Sequence, residues 1–278
     1  MHTKSELLEL LRAHRIRLQK RLGQHYLIDP RLTTQLVNTC ELSAHDRVVE
    51  IGAGLGALTD LLAARANQVL AVEVDHAICE LLKVRMKELP NVQVLCQDIL
   101  GFSWERVSGS KVVGTIPYHI TSPILVSLCE QSTTIAEVWL GLQREVASRL
   151  QAKPGTKAYG RLTILVQYRF EVEAIMRIPR SAFFPQPQVD SVWVRLAPRP
   201  SPAVVVRDER LFFEVVKVAF SQRRKTLLNC LVTLTRPRLD RDGAASVIRQ
   251  AGLLPRVRGE ELSLESFARL ADAVSQLR

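Results

Sequence analysis

Glu50-Ile-Gly52-Ala-Gly54-Leu-Gly56 sets a carboxylate in front of three alternate glycines. Glycine lets a backbone approach a ligand closely and adopt positive φ. A dinucleotide fingerprint spaces its glycines G-x-G-x-x-G and turns a helix N-terminus toward a pyrophosphate. Here the spacing is G-x-G-x-G, preceded by an acid. A carboxylate at position 50 repels a pyrophosphate but can hold a cationic amino group, directly or through water. That chemistry points to S-adenosylmethionine (SAM) and away from a nicotinamide dinucleotide. Glu73 follows about 20 residues after the glycines, where a carboxylate accepts hydrogen bonds from ribose hydroxyls. Asp98 can accept from an adenine amino group.

Gly114-Thr-Ile-Pro117-Tyr118 is a second cluster. An amino group on a nucleobase is a poor nucleophile, because its lone pair is delocalised into the ring. Two acceptors on its hydrogens and a stacked aromatic ring can fix it in line with a methyl group. The motif offers the Thr115 side chain, the Ile116 carbonyl and the Tyr118 ring, with Pro117 shaping the turn.

These residues need a frame that brings strand ends together. Arg47–Ile51 reads as a buried strand, followed by the glycine turn and a helix over 57–65. Strands are predicted over 68–74, 92–98, 111–116 and 137–143, with helices over 76–89, 122–131 and 144–152 between or after them. This alternation implies an α/β fold, a parallel, doubly wound Rossmann-like sheet. Strands at 172–178 and 189–196 extend it, and 159–170 reads as a helix. Pro198-Arg-Pro-Ser-Pro202 breaks regular structure. Beyond it, helices are expected at 208–220, 223–235, 243–251 and 264–276. The expected domains are 1–197, binding SAM and carrying catalysis with a basic N-terminal segment, and 203–278, small, all-α and RNA-binding.

The 278 residues are 47% hydrophobic, enough for a substantial core, and no apolar run has the length of a membrane-spanning helix. No membrane partner and no signal peptide are expected. Cysteines 40, 79, 96, 129 and 230 are odd in number and scattered, without C-x-x-C. This argues against a disulfide framework and a zinc site, for a reducing compartment, and for a metal-free cytoplasmic protein. Net charge is +10, unevenly placed: +3 over 1–45, +1 over 46–180 and +6 over 181–278. Clustered basic charge attracts phosphate through counterion release. Arg223, Arg224 and Lys225 are consecutive at the expected start of a helix, where the dipole disfavours cations, so an anionic partner is inferred. Arg15, Arg17, Lys20 and Arg21 form a second cationic stretch.

The ordered set of motifs resembles the small-subunit ribosomal RNA adenine N6,N6-dimethyltransferases, class I SAM-dependent enzymes. The matching segments include Leu22-Gly-Gln-His-Tyr-Leu-Ile-Asp29, Val49-Glu-Ile-Gly-Ala-Gly-Leu-Gly-Ala-Leu-Thr59, Val72-Glu-Val-Asp75 and Ile116-Pro-Tyr-His-Ile-Thr-Ser-Pro-Ile124. Others are Tyr159-Gly-Arg-Leu162, Ala182-Phe-Phe-Pro-Gln-Pro-Gln-Val-Asp-Ser191 and Ala219-Phe-Ser-Gln-Arg-Arg-Lys-Thr-Leu227. The resemblance implies that His25 and Leu27 close over SAM, that Gly52 lines its methionine half, and that Glu73 and Asp98 hold its ribose and adenine; Glu50 and Gly54 are expected at the cofactor from the glycine turn itself. It implies that residues 115–118 hold the target adenine, with Thr115 also near the cofactor and Phe183 stacking on the base. The implied substrate is a pair of adjacent adenosines in the 3′-terminal hairpin loop of small-subunit rRNA, each methylated twice in the immature subunit by a monomeric enzyme. The family's usual residue at position 115 is Asn. A Thr hydroxyl is shorter and β-branched, and loss of one transition-state hydrogen bond costs ~10²–10³ in rate. Thr115 therefore leaves a second reading open, a weakly catalytic or non-catalytic ribosome-assembly factor on the same fold.

Overall fold

The computed structural model describes residues 3–19, 22–222 and 224–277. In chain order its helices and strands are α1 (Lys4–Ala13), β1 (Tyr26–Leu27), α2 (Pro30–Thr39), β2 (Arg47–Ile51), α3 (Thr59–Ala63), β3 (Gln68–Glu73) and α4 (His76–Arg85). There follow β4 (Val92–Cys96), β5 (Lys111–Thr115), α5 (Thr121–Glu130), β6 (Glu137–Gln143), α6 (Arg144–Leu150), α7 (Arg161–Arg169) and β7 (Phe170–Ile178). The rest are β8 (Phe183–Phe184), β9 (Ser191–Pro198), α8 (Glu209–Ala219), α9 (Leu227–Leu231), α10 (Arg241–Gln250) and α11 (Leu264–Ser275).

Seven strands form one sheet in the order β4-β3-β2-β5-β6-β9-β7. The first five are parallel, and β9 runs antiparallel to β6. Strands of a parallel sheet are covered on both faces, so they read as continuous apolar runs; in β2 every residue after Arg47 is buried. Leu36 and Val37 of α2 and Leu62 of α3 pack with Val48, Val69, Val113 and Trp193 in one core. The expected α/β sheet and small helical C-terminal part are both present.

The chain divides into two compact units, 1–147 with 171–198, and 148–170 with 199–278. Residues 148–170, expected in the first domain, thus belong with the helices of the second. Tyr168 stacks on Phe212 at 5.1 Å between ring centroids, and the Tyr159 hydroxyl donates to the Leu262 carbonyl at 2.7 Å. Asp208, Asp240 and Ser263 cap α8, α10 and α11, satisfying amides that the first turn of a helix leaves open.

Two further expectations need correction. The helix predicted over 223–235 shrinks to α9, so Arg224 and Lys225 lie in the exposed turn before it and the dipole argument does not apply to them. Cys79 and Cys96 are joined in a disulfide with Cα atoms 5.7 Å apart. The approach of α4 to β4 makes that pair, and spacing along the chain carries no sign of it. Cys40, Cys129 and Cys230 are buried and form no disulfide among the described residues. Finally, α1, α2 and the pairing of β1 with β8 had no counterpart in the sequence reading. For α1 the signal existed: Thr3 and Glu6 form a reciprocal capping box before the buried Leu7 and Leu11.

Candidate active site

In the sheet order, β2 and β5 are neighbours, and this is where the strand order reverses. Ligands of open α/β sheets bind in the crevice beyond the strand carboxyl ends at such a point. A cleft opens there, within the first unit, and its walls include Glu50, Gly52, Gly54, Glu73, Asp98 and residues 115–118. Gly52, Gly54 and Gly56 all have positive φ, +70°, +56° and +87°. A Cβ on Gly54 would stand 2.9 Å from a ring carbon of Tyr26, so the turn admits no larger residue there. Gly54 N–H points to Glu73 Oε2 at 2.8 Å, and Asp75 N–H to Glu73 Oε1 at 2.9 Å. Val74 N–H is a third backbone donor to this carboxylate, and of its about four lone-pair sites at least one stays open to a ligand hydroxyl.

Glu50 is 1% exposed. Its Oε2 accepts from the Thr59 hydroxyl at 2.6 Å. Burial, and to a lesser degree the charges of Asp60 and Glu73, push its carboxyl up to about 8 despite that bond. A carboxyl raised in the folded state stabilises the fold fully below its ordinary value of 4.5, and that contribution is lost as pH rises through about 8. The ligand-free parent is therefore expected to lose thermal stability between pH 5 and pH 8 relative to Glu50→Gln. Parallel melting curves of the two proteins across that range check this, and curves that keep a constant separation would contradict it.

Asp98 follows the end of β4, and its Oδ1 accepts from Leu100 N–H at 2.9 Å. Its Oδ2 meets no partner among the described residues. Thr115 and Ile116 also line the cleft, and neither the Thr115 hydroxyl nor the Ile116 carbonyl has a hydrogen-bond partner among the described residues. Ile116 is only 3% exposed, and a carbonyl so enclosed calls for a donor. The Tyr118 hydroxyl pairs with Ser191 Oγ at 2.9 Å, and its ring lies 5.4 Å from that of His25. His25 Nδ1 meets the Pro185 carbonyl at 2.6 Å.

The two-stranded β1–β8 ribbon decides the rest of the site. Leu27 pairs with Phe183 and Tyr26 with Phe184. This brings His25, Leu27 and Phe183 to the same cleft. Sequence reasoning missed several contributors. Leu7 of α1, Gly141 of β6 and Ser191 of β9 also line the cleft, and Gln19 and Gln24 both donate to Asp75 Oδ2, tying the N-terminal segment to the cap of α4. Ser191 and Thr59 sit inside segments already singled out, but no spacing rule assigns them a partner. Among the cations, Arg224 and Lys225 are exposed; Lys20, Arg21 and Arg223 lie outside the described residues.

Residues 15–275 match the family model of the ribosomal RNA adenine dimethylases. The chain belongs to that family. A ribosomal RNA small subunit methyltransferase A from Geobacillus sp. (strain WCH70) is 40% identical, with 97% of this chain and 96% of the relative covered. A dimethyladenosine transferase from Plasmodium falciparum has a crystal structure that superposes with a TM-score of 0.74 at 26% identity, over 88% of this chain and 95% of that one. A 23S rRNA methyltransferase superposes with a TM-score of 0.67 at 28% identity, over 90% of this chain and 100% of that one. As a ribosomal RNA adenine dimethylase the chain is an enzyme, and the reading as a non-catalytic assembly factor is not favoured.

Proposed function

We propose that this ribosomal RNA adenine dimethylase transfers methyl groups from SAM to the N6 amines of two adjacent adenosines in the 3′-terminal hairpin loop of small-subunit rRNA. One observation carries this reading. Two acceptors without protein partners, the Thr115 hydroxyl and the Ile116 carbonyl, line one cleft with the Tyr118 and Phe183 rings and the acids that suit SAM. The residues fit SAM on their own chemistry. Glu50 is a buried carboxyl kept protonated by its surroundings, and a cationic amino group beside it would restore its charge. Glu73 retains a lone pair for a ribose hydroxyl, and Asp98 Oδ2 for the adenine amine. His25 and Leu27 close the cleft from the side of β1. Gly52 and Gly54 let the backbone come near. SAM, when bound, supplies the sulfonium-activated methyl group.

On the substrate side, an adenine flipped out of the loop would stack on Tyr118 and Phe183. Ile116 and Thr115 would each accept one hydrogen of the N6 amine, localising the nitrogen lone pair in line with the methyl group. Pro117 holds the turn in place. Thr115→Asn carries a longer acceptor and should speed transfer ten-fold or more, ~1.4 kcal/mol in barrier. Single-turnover methylation of immature small subunits, with N6,N6-dimethyladenosine read by mass spectrometry, tests the activity and this variant together. A parental rate at background level would sink the proposal, and a variant no faster than its parent would mean that Thr115 already serves as Asn does.

The second, all-α unit and the basic N-terminal stretch are the proposed grip on rRNA phosphates, through Arg223, Arg224, Lys225, Lys20 and Arg21. Replacing Arg224 and Lys225 by Ala should lower affinity for immature subunits and flatten its salt dependence by up to about 0.9 per lost phosphate contact. Titrations at several salt concentrations check this, and an unchanged slope would mean that neither cation meets phosphate. On this reading the enzyme works as a monomer in the cytoplasm, where its substrate is assembled.

A further inference from the structure

Thr115 ends β5 and stands opposite Gly141 of β6 in the parallel register. Both line the cleft. A Cβ built on Gly141 would lie 3.0 Å from Thr115 Cγ2 and 3.6 Å from Ile178 Cδ1. The Thr115 methyl group therefore occupies the space that a side chain at 141 would fill. Threonine carries its methyl and hydroxyl on one chiral carbon, and its side chain is confined to staggered positions. Once the methyl is seated over Gly141, the hydroxyl has a single direction left. That hydroxyl has no partner among the described residues.

We propose that Gly141 is a positioning residue that receives the Thr115 methyl and so holds the Thr115 hydroxyl toward the target amine. The inference rests on the reading of Thr115 as an acceptor for that amine. It also gives a physical account of threonine at this position: the missing side chain across the strand pair turns a short β-branched residue into a directed acceptor. Gly141→Ala forces the methyl aside, because a contact of 3.0 Å requires the neighbour to give by a few tenths of an ångström. If the methyl rotates away, the hydroxyl rotates with it.

The test is single-turnover methylation of immature small subunits at saturating SAM, with SAM affinity measured separately by calorimetry. Gly141→Ala is expected to slow transfer about ten-fold or more, with SAM affinity unchanged within about two-fold. In a Thr115→Ser background there is no methyl to displace, so adding Gly141→Ala is expected to cost less than about two-fold. That rescue separates positioning from general damage to the sheet. A harmless Gly141→Ala overturns the inference, as does a loss of equal size in the Thr and Ser backgrounds. Thr115→Val, of the same shape without the acceptor, tests the underlying reading: a parental rate there overturns the acceptor role and the inference with it. A slow Thr115→Val beside a harmless Gly141→Ala overturns the inference alone.

Discussion

Tyr118→Ala is expected to slow methyl transfer about a hundred-fold while Tyr118→Phe costs only a few-fold. Base stacking on an aromatic side chain is worth ~1–3 kcal/mol per base, and a target held loosely in front of the methyl donor loses further in alignment. The ring of Tyr118 is fixed at two points, the hydroxyl on Ser191 at 2.9 Å and the face near His25 at 5.4 Å. Alanine removes the platform and the support of His25 together. Phenylalanine keeps the ring and loses only the bond to Ser191, a neutral pair worth ~1 kcal/mol. Single-turnover rates of the three proteins on immature subunits decide the matter. If Phe is as slow as Ala, the hydroxyl rather than the ring carries the effect. An Ala variant at the parental rate would remove Tyr118 from the base pocket.

Gly114→Ala is expected to cost about 3 kcal/mol of stability, a lowering of Tm by roughly 10 °C. Gly114 pairs with Ile51 across β2 and β5, the two strands that flank the cleft. A Cβ at 114 would stand 2.4 Å from the Ile51 carbonyl oxygen and 3.2 Å from the Ile51 Cβ. The obstacle is backbone, so relief requires β2 and β5 to separate in the middle of the sheet. The same movement would displace Gly52 and Thr115, and activity should fall with stability. Gly101→Ala is the control, since no heavy atom lies nearer than 4.0 Å to its Cβ position. Calorimetric melting of the parent and both variants tests the pair. A Gly114→Ala protein that melts with its parent would mean that the two strands are not packed at this distance.

The parallel sheet, the glycine turn and the acids at strand ends are all legible in the order of residues. These are local properties. Buried strands announce themselves as apolar runs such as Arg47–Ile51, a tight turn needs glycine wherever φ is positive, and a ligand crevice lies at strand carboxyl ends. Glu50, Glu73 and Asp98 are therefore legible as one set in the sequence. The proposed base-facing wall was legible in Gly114–Tyr118 and, through the family resemblance, in Phe183.

How these pieces meet depends on contacts between residues far apart in the chain. Strands β1 and β8 have two residues each, too short for any periodicity, and their pairing joins positions 27 and 183. Only that long-range contact puts His25 and Phe183 in one cleft. The Cys79–Cys96 bond depends on the packing of α4 against β4. Residues 148–170 join the second unit because Tyr159 and Tyr168 find partners there, over separations of 103 residues to Leu262 and 41 to Glu209. The seat that Gly141 offers to Thr115 exists only in the register of β5 on β6, since a glycine in an apolar strand gives no sign in the sequence of which neighbour fills its space.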